Sequence, residues 1–132
     1  MVTAGKVFKA SESISLADIG SKLDGHRIEE PYEEGDYKFN LITEIAQLIP
    51  RENVLNGVYS HDYVSHAFHR GRTVPLPRTI EAIFSFAQRK EQVFLTVVEK
   101  KRLANFIANK LSEIVFEKVG GIVEARIPPE VL

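Results

Sequence analysis

The run Thr79-Ile-Glu-Ala-Ile-Phe-Ser-Phe-Ala-Gln88, followed by the polar Arg89-Lys-Glu91 and then by Gln92-Val-Phe-Leu-Thr-Val-Val-Glu99, decides the fold class. The first stretch alternates, with Ile80, Ala82, Phe84 and Phe86 at one parity. The second is dense in β-branched and aromatic residues, the composition of a buried strand. Three charged residues between them suit a tight turn, so the pair predicts an antiparallel hairpin.

Working outward, Val54-Leu-Asn-Gly-Val-Tyr-Ser-His-Asp-Tyr-Val64 reads as another strand, with Gly57 marking a bulge. Gly121-Ile-Val-Glu-Ala-Arg-Ile127 alternates up to Pro128-Pro129 and predicts a last strand. Between them lies Lys100–Glu117. Leu103, Ala104, Ile107, Ala108, Leu111, Ile114 and Val115 recur there at helical spacing, with Gly120-Gly121 beyond as a terminator. Lys100, Lys101 and Arg102 at its amino end oppose the helix dipole, an arrangement that a bound anion relieves. A short first strand at 5–10 and a short helix at 13–23 complete the outline.

Residues 39–49 fit two templates. Asn40, Thr43, Glu44 and Gln47 cluster on one side of a 3.6-residue wheel, which favours a helix from near Asp36 to Pro50. Ile42, Thr43 and Ile45 are β-branched, which favours a strand pairing with 54–64. The periodicity tips the expectation toward helix. Strands joined by turns rather than alternating with helices imply an α+β domain: mainly antiparallel sheet, a β-meander, with a long amphipathic helix near the C-terminus on one face.

At 132 residues the chain is one domain, 1–132, either whole or part of a longer protein. Apolar residues form 44% and charged residues 27%, ordinary globular proportions. Cysteine is absent, which removes disulfides, thiolate metal sites and cysteine nucleophiles together. No window approaches the roughly 20 apolar residues of a membrane helix. These features make a cytoplasmic protein without a membrane partner the expectation. No phosphate-cradling glycine loop, dinucleotide fingerprint or serine elbow is present, so no cofactor is implied and an enzyme is not the favoured reading.

Charge is uneven. Residues 1–60 carry 6 basic and 10 acidic side chains, while 61–132 carry 11 and 8. Acid gathers in Glu29, Glu30, Glu33, Glu34 and Asp36, which read as a solvated acidic turn. Base gathers from Arg70 to Arg102, with Tyr59, Tyr63, Phe68, Phe84 and Phe86 interleaved. Guanidinium groups capture phosphate or carboxylate in pairs, and aromatics beside them stack bases. This predicts a non-catalytic binding or regulatory domain. A basic loop with Arg70, Arg72 and Arg78, helped by Tyr63, would engage nucleic acid, a phosphorylated ligand or an acidic protein.

Two alternatives rest on other residues. His61, Asp62, His66 and His69 lie within nine residues of one another; on a helix three of them share a face and suit a metal-dependent hydrolase. On a strand, parity sends His61 and His69 one way and Asp62 and His66 the other, and the metal geometry is lost. Asn105 and Asn109, with Ser112 continuing their line, offer a polar stripe for a homo-oligomeric assembly subunit.

Overall fold

The computed structural model describes residues 6–99, 101–117 and 120–124. The hairpin expected from 79–99 is its centre: β5 (Arg72–Arg89) and β6 (Gln92–Val97) pair antiparallel from Phe84↔Val97 to Arg89↔Gln92. Around them stand β1 (Lys6–Ala10), β2 (Arg27–Glu34), β3 (Tyr37–Pro50), β4 (Val54–His69) and β7 (Ile122–Glu124). These make one seven-stranded antiparallel sheet in the order β2-β3-β4-β5-β6-β1-β7. Helix α1 (Leu16–Leu23) links β1 to β2, and α2 (Lys101–Phe116) links β6 to β7. The protein is therefore α+β with an antiparallel sheet. Among the described residues no helix is long and apolar enough to cross a membrane.

Alternation builds the core. Phe8, Tyr59, Phe84, Phe86, Leu95 and Val97 are buried from the sheet, and Ile19, Leu23, Ile107, Leu111 and Val115 join them from the helices. The opposite sheet parity is open to solvent, as Ile83 at 59% exposure shows. Ser15 caps α1, its hydroxyl accepting the Asp18 amide at 3.1 Å. Helix α2 ends at Phe116, where Glu117 turns left-handed at φ 60°, before the glycines expected to stop it. Ser112 is buried and accepts the Gly121 amide at 2.9 Å, so it serves the α2–β7 connection and does not extend the stripe of half-buried Asn105 and exposed Asn109. Lys100, the Lys101 side chain and residues 125–127 of the expected last strand lie outside the described residues.

Residues 39–49 are strand, not helix. They sit within β3, which pairs with β2 along its first half (Arg27↔Glu44 to Glu34↔Tyr37) and with β4 along its second. Ladders on its two sides, overlapping at Thr43 and Glu44, supply backbone bonds in place of a helix's, and the β-branched residues fit that setting. The bulge lies here too, between Ala46 and Ile49 with Gln47 at φ 53°, and not at Gly57. Gly57 is regularly paired with Phe84, whose ring occupies the space a side chain would need: a Cβ there would stand 2.5 Å from Phe84 Cζ.

The acidic segment is likewise a strand. Glu29, Glu30 and Glu33 lie on β2, an edge strand, and only Gly35-Asp36 form a turn. Carboxylates and Pro31 on an exposed edge discourage pairing with another chain.

Candidate functional site

Strand β4 pairs with β3 only as far as Thr43↔His61, but with β5 as far as His69↔Arg72. Beyond His61 the sheet therefore divides. Residues 62–69 and 72–79 form a two-stranded arm, and 27–34 with 37–44 form a neighbouring hairpin. Eight residue pairs at about 3.3 Å each make the arm roughly 26 Å long.

Residues 70–78 are thus no loop. Arg70 and Gly71 form a two-residue turn, with φ 51° and 75°, and β5 begins at Arg72. Pro75 and Pro77 fall within the strand. The carbonyl of Ile83 points to Val98, on the side away from β4, and alternation along the unbroken β4–β5 register aims the nitrogens of residues 75 and 77 the same way. That edge of the arm has no strand partner among the described residues, so the missing N–H groups cost nothing.

Arg70, Arg72 and Arg78 are all exposed, and among the described residues none is in an ion pair. Tyr63 stands directly across from Arg78, whose Nε donates to Ser65 Oγ at 2.7 Å. Arg70 and Arg72 share the tip with Phe68, which is 77% exposed. Arg78 lies six positions after Arg72, roughly 20 Å along the strand. Arg89 and Lys90 sit at the far end of β5, on the order of 50 Å away, so the basic cluster of the sequence divides in two.

The four candidate metal ligands are not brought together. His61 Nδ1 lies 2.9 Å from Thr43 Oγ1, and its ring stacks on Tyr59 with centroids 6.3 Å apart. The Asp62 carboxylate accepts the Ile42 amide at 2.9 Å and the Thr79 hydroxyl at 2.6 Å. His66 Nε2 donates to Glu34 Oε1 at 2.8 Å, and exposed His69 pairs with Arg72 at the tip. Among the described residues no three His, Asp or Glu side chains converge on a metal position.

A cleft of about 660 Å³ opens where the two ribbons part, under the second half of α2. Ile28, Glu30 and Tyr32 of β2, Leu41 and Thr43 of β3, Tyr59 and His61 to Val64 of β4, and Lys110, Glu113 and Ile114 of α2 contribute to its walls. Tyr32 donates to Glu34 Oε1 at 2.7 Å, so Tyr32, Glu34 and His66 tie the neighbouring hairpin to the arm. Hydrogen bonds from His66 and then Tyr32 hold the Glu34 carboxyl below the usual range. The Thr79 hydroxyl, followed by the Ile42 amide, does the same for Asp62. Burial, helped by the Lys110 ammonium, pulls His61 below the ordinary imidazole value against opposing pulls from Asp62 and Glu30. At neutral pH that ring is uncharged.

Tyr59 is the unusual member. Its side chain is fully buried, yet its hydroxyl has no hydrogen-bond partner among the described residues. Leaving such a group unpaired costs about 1–3 kcal/mol. Burial and the Glu113 carboxylate push its pKa up to about 12, so it is a donor throughout the physiological range. Reading the sequence misses most of this cleft, because its walls come from four separate elements and no spacing connects them.

No protein-family model, curated protein or solved structure matches the chain.

Proposed function

We propose that this is a non-catalytic binding domain whose β4–β5 arm engages nucleic acid through Arg70, Arg72 and Arg78. The observation that carries the reading is the contrast between the two ribbons. Arg27 and Lys38 of the β2–β3 hairpin are spent on Glu29, Glu44 and Glu33, whereas the three arginines of the arm have no carboxylate partner among the described residues. The spacing selects the partner. Guanidinium groups spread over roughly 20 Å do not converge on one phosphate but do follow an extended polyanion. Tyr63, paired with Arg78 and on the same face as Arg72, offers a ring on which a base stacks, while Phe68, paired with Thr73, lies on the opposite face of the tip.

The test is fluorescence anisotropy with labelled single- and double-stranded oligonucleotides between about 50 and 200 mM salt. Each phosphate contact contributes about 0.9 to the log–log salt slope on duplex and about 0.7 on single strands. Replacing Arg70, Arg72 and Arg78 by alanine together lowers both affinity and slope if the arm is the site. Absence of binding at the lowest salt overturns the proposal. Displacement by polyglutamate as effective as by unlabelled oligonucleotide transfers it to an acidic protein partner.

A further inference from the structure

We propose that the cleft between the β2–β3 hairpin, β4 and α2 binds a small aromatic compound without anionic charge, which accepts a hydrogen bond from Tyr59. Its volume of about 660 Å³ lies within the usual range for small-molecule sites. The lining combines apolar Ile28, Leu41 and Ile114 with the half-buried His61 ring, which stacks on the buried Tyr59 and suits a flat ring.

Buried hydroxyls in folded proteins nearly always have a partner, and one without demands an explanation. Tyr59 donates to nothing among the described residues while lining a space large enough for a ligand, so an acceptor that displaces the side chains covering its hydroxyl completes its bonding. Thr43 and His61 reinforce that position. Their mutual contact at 2.9 Å engages Nδ1 and leaves Nε2 as a second polar point.

Charge sets the class of ligand. Glu30, Asp62 and Glu113 face the cleft against the single ammonium of Lys110, which itself lies 3.7 Å from Glu113. An anion entering there meets a net negative wall without a free cation to receive it. Neutral compounds, and cations drawn by Glu30, do not.

The experiment is a fluorescence titration with Prodan, an uncharged naphthalene ketone whose emission responds to hydrogen bonding at its carbonyl. Anilinonaphthalene sulfonate, of similar ring size but anionic, is the comparison. Saturable Prodan binding is expected, with the sulfonate weaker by about tenfold, a 1.4 kcal/mol difference. Tyr59→Phe should weaken Prodan about fivefold and shift its emission to the blue while melting no lower than the parent. Ile28→Trp, at a position 46% exposed on the cleft wall, should exclude the probe without unfolding the chain. No Prodan binding up to on the order of 100 μM, or equal binding by the parent and both variants, overturns the proposal. A Tyr59→Phe protein that melts lower overturns it too, because the hydroxyl then serves the fold.

Discussion

The carboxylate of Asp62 accepts the backbone amide of Ile42 at the point where β3 and β4 part. In a continued ladder these two residues would exchange backbone bonds, since Glu44, two positions after Ile42, and Ser60, two before Asp62, are paired in register. A side chain takes the carbonyl's place instead. It lets the strands separate without stranding the amide, and Thr79 fixes the same carboxylate from the other side.

Asp62→Ala should therefore cost about 1–2 kcal/mol by leaving the half-buried Ile42 amide without an acceptor, equivalent to roughly 4–10 °C in Tm for a domain of this size. Hydrogen exchange at the Ile42 amide should quicken more than at Glu44, one ladder step further in. Thermal melting together with residue-resolved exchange checks both. Unchanged protection at Ile42 would show that another group holds the amide.

Gly57→Ala places a Cβ where the Phe84 ring lies, 2.5 Å from Cζ and 3.0 Å from Leu48 Cδ2. Phe84 is fully buried, so the ring has little room to retreat. Overpacking of this kind costs about 1–3 kcal/mol. In a Phe84→Leu background the same substitution should cost less than half as much, because the conflicting ring is gone. A double-mutant cycle by denaturant unfolding measures this coupling, and additive effects would place the strain elsewhere.

Burial holds the His61 imidazole below its ordinary value, so as pH falls the unfolded chain takes up that proton before the folded one does. Stability from this group is fully present above about pH 6.5 and is lost as pH drops through the folded value. Asp62 and Glu34 are also lowered, and they act further down, through the carboxylate range. Between pH 7 and 5 the parent should thus lose stability faster than His61→Asn, which keeps a polar atom toward Thr43 but does not titrate. Parallel Tm profiles for the two proteins over that window would exclude His61 as the source.

Short-range pattern was enough for the elements whose burial is one-sided. In β5 and β6 the shared parity of Ala82, Phe84 and Phe86 and the β-branched run that follows need no neighbour to be recognised, and the stripe from Leu103 to Val115 belongs to α2 on spacing alone. Residues 39–49 resisted because their polar side chains fall at helical spacing while Ile42, Thr43 and Ile45 are β-branched, and the choice fell to hydrogen bonds from β2 and β4 that no local window contains. The loop expected around Arg70–Arg78 is mostly strand for a related reason: a proline breaks a strand only where its nitrogen faces a partner, and the nitrogens of Pro75 and Pro77 face the arm's unpaired edge.

Composition and local order by themselves determined a chain without cysteine, near charge balance, forming an antiparallel sheet with helices, and with its arginines crowded between 70 and 78. Only the tertiary structure decided that those arginines stand on an arm without an ion-pair partner among the described residues, that four histidine-segment residues turn to separate partners, and that Tyr59 lies buried beside an open cleft. The physical reason is range. Alternation and helical spacing are set by neighbours a few residues apart, whereas ion pairing, desolvation and cavity shape depend on groups that meet only after the strands have found their order.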